Sequence, residues 1–339
     1  MIASGFFKSG DTTTAEKILT ECWENNGSPD AGTALIEVLE RRGDLEKAST
    51  LADELAAKSP RAQLFQAILK LRQRQPAEAS ATLRKLLQKP YLAPSSRSRA
   101  LLTLANALEH TGDYSESWNT MLLAKQTSLP DKETLKRAQA ISKRCQAANQ
   151  KRLRHTANFP QSAGQTESGK VPTLVTGHPR SGTSIIAFHL ASQHDLGMAD
   201  ELGAFENSLR SLKLGDSPPH KWPTSSAEKI LGLYRKSACA YFPALKDSSN
   251  WIDKNPGLEH ASDQWIAAFP GSKVIFVRRA PLDCLISCLY THLPINPVTL
   301  HFFAPETAAL SIAGSIRIQD HFLQHIPENT ILIHYEDFV

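Results

Sequence analysis

Thr173-Leu-Val-Thr-Gly-His-Pro-Arg-Ser-Gly-Thr-Ser184, continued by Ile185-Ile-Ala-Phe-His-Leu190, decides how the rest of the chain is read. A short apolar and β-branched run, a turn holding Gly and Pro, and a second apolar run predict a buried strand, a tight turn and a helix. The turn Gly177 to Ser184 keeps the G-x-x-x-x-G spacing of a phosphate-binding loop, but Thr183 stands where a Walker A loop carries lysine. The cation of this turn comes earlier, at Arg180. Gly177 permits the turn, Pro179 stiffens it, and Gly182 lets the backbone approach an anion closely. The N–H groups of Ser181 to Ser184 are expected to point inward at a helix N-terminus worth about half a positive charge. The hydroxyls of Ser181, Thr183 and Ser184 add donors. An ordinary strand-to-helix turn with incidental Ser and Thr is the competing reading. The coincidence of Arg180 with the glycine spacing speaks against it.

Outward from this stretch, residues 171–339 alternate apolar runs with helical patterns, which predicts an α/β domain with a parallel sheet. The best strands are Thr173 to Thr176, Lys273 to Val277 and Thr330 to Ile333, with a shorter one at Trp251-Ile252. Ligands of such sheets bind at the carboxyl ends of strands, so the residues just after each strand carry the information. After Val277 comes Arg278-Arg279. A Mg-dependent NTPase usually ends such a strand in Asp to hold the metal. Arginine grips phosphate directly instead, which favours a metal-free route to a phosphate-rich donor. Pro281 opens a helix that carries Ser287, and Arg279 with Ser287 is a candidate phosphate site. Either arginine could also serve only to pair with acids.

The helix from about Gly182 to Gln193 spans roughly 18 Å. Leu196-Gly-Met198 can return up the sheet and bring Asp200-Glu201 to the rim of the loop. Either acid could serve as a general base toward an acceptor hydroxyl, and geometry alone leaves the two nearly equal. Trp251-Ile-Asp-Lys-Asn-Pro256 places Lys254 at another strand mouth, where it could stabilise charge on a bridging oxygen or form a surface ion pair with Asp253. Tyr335 ends the last strand and could stack on a nucleotide, bond to it, or sit half-buried in the core.

Residues 1–150 read as all-helical, being rich in Ala, Leu, Glu, Lys, Arg and Gln. A phrase recurs. Lys8-Ser-Gly-Asp11, Arg42-Gly-Asp-Leu45, Arg72-Gln-Arg-Gln-Pro76 and Thr111-Gly-Asp-Tyr114 each lead into a helix with a small residue, such as Ala48 or Ala79. The Gly-Asp turn stops one helix and caps the next. The offsets run from about 31 to 38 residues, and the region resembles tetratricopeptide repeats, whose period is about 34. The third copy replaces Gly-Asp with Gln-Pro, at Gln75-Pro76. Residues 151–170 have the polar composition of a linker.

The totals bound the rest. Net charge of +4 over 339 residues is too small to argue for nucleic acid. Five cysteines without framework spacing argue against a secreted disulfide scaffold. Cys284 and Cys288, four apart, lack the partners a zinc site needs. No signal pattern and no long apolar run are present, so a cytoplasmic protein without a membrane segment is expected.

Together these stretches resemble a sulfotransferase using 3'-phosphoadenosine 5'-phosphosulfate (PAPS). P-R-S-G-T-S resembles the 5'-phosphosulfate loop. Val274 to Ser287 resembles the 3'-phosphate motif, in which an arginine and a serine eight residues later bind the phosphate, as Arg279 and Ser287 are spaced. D-K-N-P, F-P-G-S-K-V-I-F-V-R-R and H-Y-E-D-F-V resemble the tetratricopeptide-repeat sulfotransferases of bacteria, which are similar to tyrosylprotein sulfotransferases. The resemblance implies Glu201 as catalytic base, with Arg180 and Lys254 beside it. It implies nucleotide contacts at Arg180, Ser181, Gly182, Thr183, Ser184, Arg279, Ser287 and Tyr335, and no metal. Relatives continue beyond the Y-E-D stretch, so the chain is expected to be incomplete at its C-terminus. A peptide tyrosine, held by the repeats, a sugar or a small alcohol are open as acceptors. A P-loop kinase and a non-catalytic repeat scaffold with an inactive transferase fold are the rival readings.

Overall fold

Turn chemistry builds the first half of the chain, and strand pairing builds the second. The computed structural model describes residues 12–129, 131–137, 139–143, 171–248, 250–293, 295–296 and 299–339. The expected linker 151–170 and the first repeat phrase, up to Asp11, lie outside the described residues. The chain divides into two compact units, Met1–Asp131 with Leu289–Pro294 and Lys132–Cys288 with Ile295–Val339. Among the described residues no helix is long and apolar enough to cross a membrane.

The first unit carries helices α1 (Thr12–Asn26), α2 (Pro29–Arg42), α3 (Leu45–Ala56), α4 (Pro60–Arg72), α5 (Pro76–Leu87), α6 (Pro94–His110) and α7 (Tyr114–Thr127). Ser28 and Ser59 accept from the third amide on, Ala31 at 3.5 Å and Ala62 at 3.3 Å, each with proline next in line. These are N-caps that satisfy an otherwise orphaned donor. Between the paired helices, Gly43 and Gly112 stop one helix at φ 83° and 84°. Asp44 and Asp113 then cap the next. The divergent third copy follows the same path with worse residues. Arg74 takes the left-handed place at φ 59°, and Gln75 makes no side-chain cap bond.

Stacking buries what a single hairpin cannot. Helix α4 serves two cores at once. Phe65 and Leu69 pack with Ile36, Leu39, Leu51 and Leu55, while Leu64 and Ala67 pack with Leu83, Leu86, Leu104 and Leu108. Ala48 and Ala79 are fully buried, as close helix approach requires. Truncating a leucine such as Leu86, which has no exposed surface, is expected to cost about 2–5 kcal/mol.

In the second unit five parallel strands form one sheet in the order β2-β3-β1-β4-β5. They are β1 (Pro172–Thr176), β2 (Gly197–Asp200), β3 (Trp251–Lys254), β4 (Val274–Arg278) and β5 (Thr330–His334). The helices are α8 (Thr183–Gln193), α9 (Ala204–Ser211), α10 (Ser226–Tyr241), α11 (Ser262–Ala268), α12 (Pro281–Tyr290) and α13 (Pro305–His325). Successive strand residues serve opposite cores, the period-two rule at work. Leu174, Trp251 and Phe276 join Tyr234, Trp265, Phe269 and Phe322 on one face. Val175, Ile252 and Val277 join Ile186 and Ala187 of α8 on the other. The expected strands are all present, and β2 and β3 run two residues further than predicted, to Asp200 and Lys254. Strand β1 is the switch point, with β3 on one side and β4 on the other. The turn after it opens the crevice where such sheets bind ligands.

Candidate functional site

The phosphate-type loop leaves β1 at Gly177 and enters α8 at Thr183. A Cβ on Gly177 would lie 2.3 Å from the carbonyl oxygen of Val277, so glycine is required where β1 and β4 part. A Cβ on Gly182, at φ 97°, would lie 2.3 Å from Cδ2 of Tyr335. Arg180 sits between them at φ 74°, a left-handed conformation that side chains avoid. One expectation is corrected. The Ser181 amide does not head the helix but donates to the His178 carbonyl at 3.0 Å, closing the turn. The unpaired amides of the helix start therefore begin beyond it. Thr183 is buried and Ser184 exposed. The Ser181 hydroxyl is buried and makes no hydrogen bond.

His178, which the sequence reading passed over, braces the loop from behind. Its Nδ1–H donates to the Pro179 carbonyl at 2.8 Å, and Nε2 accepts from Ser311 at 3.3 Å. Burial pushes its pKa down to about 4, against a raising contribution from the Pro179 bond, so the ring is neutral. Only its place inside the loop signalled a role.

At the end of β4 the two arginines separate in function. Arg278 is structural: its Nε donates to Gln319 at 2.8 Å and a terminal nitrogen pairs with Asp320 at 2.7 Å. Arg279 stays loosely held. It lies 3.7 Å from Asp283, its Cζ stands 5.0 Å from the Tyr335 ring centroid, and its buried Nε has no hydrogen-bond partner. Ser287, one helical face along α12, accepts from Arg180 Nε at 3.0 Å. The loop arginine thus meets the serine of the second stretch. Glu336, also passed over, accepts from the Ala280 amide at 2.7 Å and holds the start of α12. That bond, with a smaller contribution from nearby Arg279, lowers its pKa.

A third group forms where β2 and β3 end side by side. Asp200 and Lys254 are register partners, and Lys254 is in turn the partner of Val175 in β1. The Lys254 ammonium lies 2.5 Å from Asp200 and 2.7 Å from Glu201. Burial by itself would lower the ammonium's pKa, but the hydrogen bonds to both carboxylates outweigh it and raise it. The suggested surface ion pair with Asp253 does not form, because alternate strand residues face opposite ways. Only 5% of the Lys254 side chain is exposed, against 62% of Glu201, so the lysine is rooted while the acid reaches outward. Glu201 holds φ 51° and donates its amide to the Lys254 carbonyl at 2.8 Å. Asn255 ties this corner to the loop strand. Its amide donates to Val175 at 3.0 Å and its carbonyl accepts from Thr176 at 2.9 Å.

Asp253 itself is fully buried. It accepts from Tyr234 at 2.7 Å, and its other oxygen has no partner. Burial pushes its pKa to about 7, with Glu206 and Asp200 adding to the rise and Tyr234 opposing it. Its place two residues after Trp251 in a strand was the available signal.

The residues present fit an anionic ligand with two phosphate-like ends. Ser181 and Arg279 each offer a buried donor without a partner, and the two stretches that carry them touch through Arg180 and Ser287. Among the described residues no group of three or more His, Cys, Asp and Glu could hold a metal ion.

Comparison with known proteins agrees with this geometry. Residues 172–339 match the Sulfotransferase family. A protein of Aquifex aeolicus (strain VF5), named only as an uncharacterized protein, is 25% identical over 266 residues, covering 75% of this chain and 34% of its own. The chain thus spans about a third of the length of that curated relative. The parallel-sheet region, with its loop after β1 and its arginine-bearing strand end, carries a sulfotransferase family domain.

Proposed function

We propose that this protein transfers a sulfuryl group from PAPS to an acceptor hydroxyl, without a metal. The observation that carries the reading is the pair of partnerless buried donors, Ser181 Oγ and Arg279 Nε, at the ends of neighbouring strands β1 and β4. Arg279 and Ser287 hold the 3'-phosphate. The loop, with Arg180, Ser181, Gly182, Thr183 and Ser184, holds the 5'-phosphosulfate, and Tyr335 borders the nucleotide. Glu201 takes the acceptor proton as its oxygen attacks sulfur in line. The S–O bond to the phosphate breaks, and the electron pair leaves with 3',5'-ADP. Arg180 and Lys254 offset the charge that gathers on that phosphate.

Glu201 is preferred to Asp200 because its more exposed carboxylate can meet an acceptor while Lys254 holds it. In this reading the helical repeats recruit a protein acceptor, with a peptide tyrosine as first choice.

Calorimetric titration with 3',5'-ADP and with ADP tests the assignment. Tight binding of 3',5'-ADP and weak binding of ADP are expected. Equal binding, or Mg-dependent turnover of ATP, would sink it.

A further inference from the structure

The Tyr335 ring has two neighbours that belong to different parts of the site. Its Cδ2–Cε2 edge lies where a Cβ on Gly182 would come within 2.3 and 2.7 Å. The Arg279 guanidinium carbon stands 5.0 Å from its centroid, within cation–π range. The next residue, Glu336, bonds the Ala280 amide at 2.7 Å. Two consecutive side chains after β5 therefore bridge the loop after β1 to the turn after β4. Arg279 has no stronger anchor in view. Its contact with Asp283 is 3.7 Å long and its Nε has no hydrogen bond, so the ring is what sets the guanidinium plane.

We propose that Tyr335 is a positioning residue whose ring is the spacer between the phosphate loop at Gly182 and the phosphate-reading Arg279. This rests on the sulfotransferase reading above. The ring face and edge do the spacing, so the hydroxyl is dispensable. Glycine at 182 is required for the same reason, because a methyl group there would displace the ring on which Arg279 packs. The expected consequence is selective. Loss of the ring weakens discrimination for the 3'-phosphate more than it weakens binding of the common diphosphate part.

The test is the affinity ratio of 3',5'-ADP to ADP in the full chain, for wild type, Tyr335→Leu, Tyr335→Phe and Gly182→Ala. Tyr335→Leu is expected to lower the ratio about fivefold, and Tyr335→Phe to restore it. In a double-mutant cycle, Gly182→Ala is expected to cost less on the Tyr335→Leu background than on wild type, because the clash is gone. A ratio unchanged in Tyr335→Leu, or lost equally in Tyr335→Phe, overturns the spacer while leaving the nucleotide assignment intact. Wild type that fails to discriminate overturns the nucleotide assignment itself. If Tyr335→Leu does not fold, Gly182→Ala with and without Tyr335→Phe decides. An undiminished ratio in Gly182→Ala sinks the proposal.

Discussion

Both units stop helices with left-handed backbone, and the sheet unit also places such residues at its candidate site. In the helical unit Gly43 and Gly112 take φ above 80°, and where the third copy has no glycine, Arg74 takes φ 59° in the same place. In the sheet unit Asp195 and Lys213 follow helix ends in the same way, at φ 49° and 57°, but two further left-handed residues with side chains stand at the rim. Arg180 at φ 74° and Glu201 at φ 51° are two of the three proposed catalytic groups. A strained non-glycine residue costs about 1–2 kcal/mol. At Arg74 the return is local: its amide donates to Leu71 at 3.0 Å and the Gln75 amide to Lys70 at 2.8 Å, closing the helix end. At Arg180 and Glu201 the strained backbone aims a charged side chain, at Ser287 in one case and Lys254 in the other. The same conformation closes a helix in a repeat and aims a side chain in a site.

The largest expected effect tests whether the strained acid is chemical. Glu201→Gln should lower sulfuryl transfer by about 10²–10⁴-fold, measured with labelled donor, while 3',5'-ADP affinity changes little. Asp200→Asn should cost clearly less. The reverse order would move the base to Asp200.

Glycine at each strained arginine sharpens the contrast. Arg74→Gly is expected to raise stability by about 1 kcal/mol in a denaturant melt and leave nucleotide binding alone. Arg180→Gly relieves similar strain but removes the proposed phosphate ligand, so 3',5'-ADP affinity should fall at least about tenfold. Equal binding losses at the two positions would erase the distinction.

The units also differ in buried acids. Among the described residues, the carboxyls raised by burial, Glu206, Asp253 and Glu259, all lie in the sheet unit. Glu259 accepts from Ser315 at 2.8 Å and Gln319 at 2.7 Å, yet burial still lifts it from 4.5 to about 7. The native state keeps a proton that the unfolded chain has released. Its stabilising contribution is complete below about pH 4.5 and is lost as pH rises to about 7. Glu259→Gln should therefore flatten the fall in stability between pH 5 and 8 seen by chemical denaturation. A slope identical to wild type would rule Glu259 out as its source.

The smallest effect lies back in the repeats. Ser28 and Ser59 cap their helices, but Ala93 stands before Pro94 and makes no cap bond. Ala93→Ser should add about 0.5–1 kcal/mol, read as a higher denaturation midpoint.

Much of this was legible in residue order because the rules involved are local. Gly-Asp turns, Ser-Pro caps and buried alanines announce stacked hairpins. Apolar runs ending in Gly177, Lys254 or Arg279 announce strands whose ends carry the candidate site residues. The tetratricopeptide likeness lost its third turn motif at Arg74-Gln75, yet the backbone repeats there, because α4 and α5 pack on both neighbours regardless of the cap.

By itself the sequence determined the parallel-sheet class, the helical repeats and the three stretches proposed here to carry the site. Periodicity, caps and glycine spacing act within a few residues of one another. Only the tertiary structure decided which side chains meet. It turned Lys254 away from its neighbour Asp253 toward Asp200 and Glu201, gave Arg278 to Asp320 while leaving the buried Arg279 Nε without a hydrogen bond, and set Tyr335 against Gly182. Those choices depend on strand order and on which face of β3 and β4 each residue takes. Both are set by packing between segments far apart in the chain.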